Sequence, residues 1–136
     1  MTVGRVLGID HGTQRVGLAI SDALRIVAHP LEVLPADADT AKRIGDLVRE
    51  REVDHVVVGL PIGLNGREGE AAAKARELAG EIAAEVDVEV EMSDERFTTK
   101  TAEEALLEAN VKRADRKQVI DKVAAAVMLQ QWLDRR

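Results

Sequence analysis

Three carboxylates stand where an apolar residue would be expected. Asp10 closes the apolar run at residues 3–10, on the same strand face as Val6 and Gly8. Glu95 follows directly on an alternating segment, VDVEVEMSDER, where the sheet should give way to a loop. Asp121 shares a helical stripe with Ala124, Ala125, Met128 and Trp132, which follow it at three, four, seven and eleven residues. Burying a carboxylate is costly unless it is paired or binds a cation. Each acid also has a plain structural explanation. Asp10 could cap its turn through the amides of Gly12 or Thr13, Glu95 could pair with Arg96 or a remote lysine, and Asp121 could sit in the first turn of a helix beginning near Val119. If instead the three converge, their mutual repulsion raises their pKa values unless a cation lies among them. An all-oxygen donor set selects a hard ion, Mg²⁺ or Mn²⁺. Such a cluster suits two-metal phosphodiester hydrolysis, with ions about 3.5 to 4 Å apart activating water and stabilising the leaving oxygen. That chemistry needs no nucleophilic side chain, and the chain has no cysteine and no evident Ser and His pairing. His11, His29 and His55 lack zinc spacing and are expected to be structural or exposed.

The elements that must position these acids are legible in the pattern. Val3 to Asp10 and Val16 to Ile20 are β-rich runs joined by HGTQR, short enough for a hairpin. Val27 to Leu34 reads as a third strand, with Pro30 pushing it toward an edge or a bulge. Asp37 or Asp39 can cap a helix from about Thr40 to Glu52, whose Ile44, Leu47 and Val48 share a face. The continuous apolar run HVVVGLP, residues 55–61, predicts a strand covered on both faces. A Gly- and Asn-containing loop, GLPIGLNGREG, precedes an Ala-rich helix to about Val86. Val86, Val88, Val90 and Met92 then alternate with Asp87, Glu89 and Glu91, predicting a half-exposed edge strand. Thr98 or Thr99 can cap a helix through about Ala109, and Gln118 to Leu133 is apolar nearly all round, as a helix packed on more than one side should be. Antiparallel hairpins followed by βαβ crossovers give an α/β domain, a mixed sheet with helices on both faces.

Composition sets the outer bounds. A chain of 136 residues with 46% apolar content is the size of one domain with a single real core, so one unit over 1–136 is expected. It has no apolar run long enough to span a bilayer and no signal-peptide pattern, and zero cysteines exclude a disulfide framework, so a cytoplasmic protein is expected. The net charge of −6 at first argues against a nucleic-acid partner. Its distribution weakens that objection: residues 68–91 carry eight acids against Lys74 and Arg76, and the remainder is balanced. The one basic concentration, KRADRKQVIDK at residues 112–122, is either a solvated start of a helix or a grip on phosphate.

GIDHGTQRVGLAISD, VVVGLPIGLNGREG, DERFTT and KQVIDKVAAAVMLQQWL together resemble the four signature blocks of the YqgF family, also called RuvX. These small bacterial proteins are described as Holliday-junction-resolvase-like or as candidate pre-16S rRNA nucleases. The resemblance implies a ribonuclease H-like fold with a five-stranded sheet of order 3-2-1-4-5, the first three strands mutually antiparallel and the last two parallel to the first. It also implies that Asp10, Glu95 and Asp121 are the catalytic, metal-holding acids of a Mg²⁺- or Mn²⁺-dependent nuclease. The related junction resolvase RuvC places a fourth acid one helical turn from the last, where this chain has Ala124.

With Phe97 and Trp132 the only aromatics, base stacking has almost nothing to work with, so recognition should go through phosphates and shape of structured RNA or branched DNA. Lys112, Arg113, Arg116, Lys117, Arg15 and Arg96 are the candidate phosphate contacts, and each is equally readable as ordinary surface charge. A symmetric junction would suit a homodimer with paired sites. Gly8 invites a further expectation, that its missing side chain lets Ala124 and Ala125 approach and sets the distance from Asp10 to Asp121. Two other classes compete. GIDHGT resembles the first phosphate loop of actin-like ATPases, which need a second such domain, and a non-catalytic assembly factor on structured RNA could keep the fold without turnover.

Overall fold

The computed structural model describes residues 3–12, 14–61, 66–94 and 113–135, the side chains of 113–120 excepted. The elements are β1 (Arg5–His11), β2 (Arg15–Ser21), β3 (Ala28–Pro35), α1 (Thr40–Glu50), β4 (Val53–Leu60), α2 (Glu70–Glu85), β5 (Glu89–Asp94) and α3 (Arg113–Asp134). The strands form one five-stranded sheet in the order β3-β2-β1-β4-β5. β1 pairs antiparallel with β2, and β2 with β3. β4 is parallel to both β1 and β5. This is the sheet that the resemblance implies.

The order follows from what each strand can tolerate. β4, nearly continuous in apolar residues, has Val56, Val57 and Val58 fully buried and lies inside the sheet, covered on both faces. β3 and β5 take the edges. Pro30, which cannot donate to a ladder, sits on edge strand β3 opposite Ala19, beside the register shift at Leu18 and Ala19.

Alternation along β1 builds two cores. Leu7 and Ile9 point to the face covered by α1 and α2, with Val16, Leu18, Val56, Val58, Ile44, Leu78 and Ile82. Val6 points to the face covered by α3, with Ala19, Val57, Ala125, Met128, Leu129 and Trp132. β5 obeys the alternation in its sequence: Val86, Val88, Val90 and Met92 all pack toward the first core. The alanines of α2 at 72, 75 and 79 are buried, and small side chains there let the helix lie close to its neighbours.

Two boundaries differ from expectation. Asp39 is the residue before α1 but makes no side-chain cap bond. Asp37 is engaged instead in its own turn, where it accepts the Asp39 amide at 2.8 Å and faces Arg43 at 3.2 Å. Thr40 Oγ1 accepts the Asp37 amide at 2.9 Å and donates back to Pro35 and Asp37 carbonyls. The last helix starts at Arg113 rather than Gln118, so Asp121 lies two turns inside it and the first-turn capping explanation fails. The helix expected over 98–109 lies outside the described residues.

Candidate functional site

Asp10 stands near the end of β1 on the α3 face, in line with Val6 and Gly8. Its antiparallel partner is Gly17 of β2. Directly opposed residues send their side chains to the same face with Cβ atoms about 4.5 to 5.5 Å apart. Gly17 has no Cβ, and α3 occupies the space: a Cβ built there would stand 2.0 Å from the Asp121 carbonyl oxygen and 2.5 Å from its carbon. The backbone of Asp121 therefore touches the sheet beside Asp10. Two acids 111 positions apart in the chain are brought to one patch by a missing side chain on a third residue.

Gly8 makes a similar contact with a different partner. Its Cβ would meet the Leu129 Cβ at 2.9 Å, so the glycine seats the middle of α3 through Leu129 rather than through Ala124 and Ala125 as expected. Ala124 and Ala125 are buried all the same, at the turn that follows Asp121. Ala124, at the position of RuvC's fourth acid, is core.

Asp121 is half-buried and bound by a neighbour that shares the face. Arg15, two residues before Gly17 on β2, donates from Nε to Asp121 Oδ2 at 2.7 Å, with side chains 33% and 27% exposed. Arg15 is thus more than free surface charge, since its partly buried side chain is tied to an acid of α3. The hairpin that delivers it is tight, with the Gly12 amide donating to the Arg15 carbonyl at 2.8 Å.

β5 runs parallel to β4 with Asp94 paired to Leu60, so it leaves the sheet at the end where Asp10 stands. Ser93 is buried there. Glu95, the next residue but one, lies outside the described residues, as do Arg96 and Lys112. Arg113, Arg116 and Lys117 are on the first turns of α3, eight, five and four positions before Asp121. Among the described residues no group of three His, Cys, Asp or Glu side chains is close enough to hold a metal ion.

The histidines lie elsewhere. His11 alternates to the opposite face and lines a cleft of about 280 Å³ with Asp37, Thr40, Lys74, Glu77 and Glu81. Burial pushes its imidazole below the ordinary value, Asp10 opposing and Lys74 reinforcing that shift. His29 is exposed. His55 is buried at the far end of β4, hydrogen-bonded to Glu91 at 2.5 Å and stacked on Trp132 with ring centroids 5.1 Å apart. That constellation joins the last turns of α3 to the sheet.

Residues 4–135 match the RuvX family, described as Holliday junction resolvase. The chain belongs to the RuvX family. It is 44% identical over 134 residues to a Pelotomaculum thermopropionicum protein named "Putative pre-16S rRNA nuclease", covering 96% of this chain and 86% of that one. A Bacillus cereus protein of the same name is 42% identical over 136 residues, covering 97% and 99%. Among solved structures, Thermus thermophilus RuvC in complex with a Holliday junction substrate superposes with a TM-score of 0.60 at 21% identity, covering 97% and 95% of the two chains. The fowlpox virus resolvase with Holliday junction DNA superposes at 0.59 with 11% identity, covering 96% and 97%. At such identities the likeness is one of fold, and that fold is ribonuclease H-like. Gly17 of this RuvX chain carries little signal as a glycine in an apolar strand, and it stands out only because it falls opposite Asp10 once the hairpin register is drawn.

Proposed function

We propose that this chain is a divalent-metal-dependent endonuclease that hydrolyses phosphodiester bonds in structured nucleic acid. Asp10, Asp121 and Glu95 would hold the ion, Mg²⁺ or Mn²⁺, which supplies an activated water and neutralises charge developing on the phosphate. The observation that supports the reading is that the Asp121 backbone packs on Gly17, the cross-strand partner of Asp10, at the end of a central strand. An all-oxygen pair so placed fits a hard cation. Asp121 caps no helix end, and its ion pair with Arg15 holds it at the sheet beside β2.

Two substrates compete, pre-16S rRNA and four-way DNA junctions. The 42–44% identical relatives that span 96–97% of the chain carry the rRNA name, whereas the junction resolvases compared are 11–21% identical. We therefore take the 5′ end of pre-16S rRNA as the first substrate to test. The protein works in the cytoplasm on this reading. Among the described residues no helix is long and apolar enough to cross a membrane. A homodimer with paired sites would match a two-fold junction, and the rRNA reading does not need one.

The test is Mn²⁺-dependent cleavage of a precursor rRNA and of a four-way junction by the wild type, Asp10→Asn and Asp121→Asn. Each variant should lose more than the roughly 10- to 100-fold that removing an outer-shell partner of a metal costs. Equal cleavage by wild type and Asp10→Asn would refute the assignment and favour a non-catalytic binding factor.

A further inference from the structure

Beside the acids, on the side of edge strand β3, lies a cleft of about 380 Å³ lined by Gln14, Arg15, Glu32, Val33, Leu34, Pro35 and Lys122. We propose that this cleft is a subsite for one sugar-phosphate unit of the strand flanking the cut, with Arg15 and Lys122 holding its phosphate. The proposal rests on the nuclease reading and adds the side on which the substrate is held.

Four features point to this ligand. Arg15 bridges the two places: its Nε is committed to Asp121, which, among the described residues, leaves the two terminal amino groups of the guanidinium fork for another anion's oxygens. Lys122 is adjacent in sequence to Asp121 and therefore projects from the same turn of α3 into the cleft. The lining carries Lys122 and Arg15, the latter also paired with Asp121, against Glu32. Among the described residues the lining has no aromatic ring to stack a base, while Val33, Leu34 and Pro35 offer apolar surface to the carbon face of a sugar. Gln14 and Glu32 supply hydrogen-bonding groups at the same surface, and a ribose 2′-hydroxyl can both donate and accept. The long edge of β3 is thereby given a use beyond closing the sheet.

The experiment measures binding of a fluorescent precursor-rRNA hairpin and a fluorescent four-way DNA junction at several salt concentrations, in Mg²⁺, with every protein carrying Asp10→Asn so that nothing is cut. Adding Lys122→Gln should weaken binding three- to tenfold. It should also flatten the plot of log K against log salt by about 0.9 for a duplex contact, the change produced by losing one phosphate. Lys42→Gln, on α1 across the sheet, should change neither. Because Arg15 also holds Asp121, Arg15→Gln should lower the same slope and in addition, with Asp10 kept intact, alter the Mg²⁺-induced rise in Tm, which Lys122→Gln in that same background should leave intact. The probe showing the larger loss identifies the polymer the subsite prefers. An unchanged affinity and slope in Lys122→Gln, with Asp10→Asn alone still binding, overturns the subsite and leaves the nuclease reading standing. Absence of binding by Asp10→Asn together with absence of cleavage by the wild type overturns the nuclease reading itself.

Discussion

Replacing Gly17 by alanine asks whether close approach of helix to sheet builds the acidic site. The added methyl would sit 2.0 Å from the Asp121 carbonyl oxygen, against 3.4 Å for an ordinary contact, so about 1.4 Å must be found. The atom in the way is backbone, in the interior of a 22-residue helix, and cannot rotate aside. The helix must therefore lift or the strand must bend. Overpacking of this kind costs roughly 1–3 kcal/mol, and a clash with backbone belongs at the upper end, about 2–3 kcal/mol. With unfolding entropy near 2.1 cal/mol/K per residue, that lowers Tm by roughly 7–10 °C in a chain of 136 residues. The same shift carries Asp121 away from Asp10. Mg²⁺ demands near-ideal ligand geometry, and a displacement of about 1 Å can cost on the order of 100-fold, so Mg²⁺ affinity should fall at least about tenfold. Circular dichroism through a thermal melt, repeated over a Mg²⁺ titration, measures both. A variant that melts within about 2 °C of the wild type and keeps its Mg²⁺-induced shift would refute the reasoning, since the site would then not depend on the contact.

Gly80→Ala is the converse control: Gly80 is exposed within α2 with nothing inside 4 Å of its would-be Cβ, so the change should raise Tm by roughly 2–3 °C, the effect of about 0.5–1 kcal/mol of helix propensity. Trp132, the only tryptophan and 4% exposed against His55, should cost about 3–5 kcal/mol on truncation to alanine, a fall of roughly 10–17 °C followed by circular dichroism. Asp22 holds the turn before β3 by accepting the amides of Ile26 and Val27, both at 2.8 Å, and these bonds, that of Val27 foremost, keep its carboxyl below the usual range. A depressed carboxylate stabilises the fold above its unfolded pKa and loses that contribution as pH falls through its folded value. Asp22→Asn, which keeps an acceptor but cannot titrate, should therefore lose less stability than wild type between pH 5 and 3 in urea melts, and identical pH profiles would remove Asp22 from the account. Finally, saturating Mg²⁺ at about 100 times its Kd should stabilise the wild type by roughly 2.7 kcal/mol, about 9 °C, and Asp121→Asn should abolish the shift.

The sheet was readable because its causes are local. The nearly continuous apolar run of β4 asks for two covered faces, Pro30 for an edge or a bulge, and the strict alternation of 86–92 for one wet face; these give a mixed sheet, and its strand order was implied by the family resemblance alone. Boundaries were less readable where side chains compete for the same amides, as at Asp37, Asp39 and Thr40, or where a helix extends through charged residues, as α3 does back to Arg113. Asp10 and Asp121 could be picked out singly because an acid on an apolar face contradicts the pattern around it.

What the sequence determined by itself was therefore the kind of each element, the faces that must be covered and the acids that need a reason. Tertiary structure alone decided which residues meet. Nothing in the period of a strand or helix records that α3 seats its Asp121 turn on Gly17 and Leu129 on Gly8, that Arg15 takes Asp121, or that Lys122 opens onto the β3 edge. The physical reason is range. Backbone periodicity acts over a few residues, whereas these contacts join groups far apart in the chain and depend on helix-to-sheet distance, which is set by the absence of side chains at two glycines.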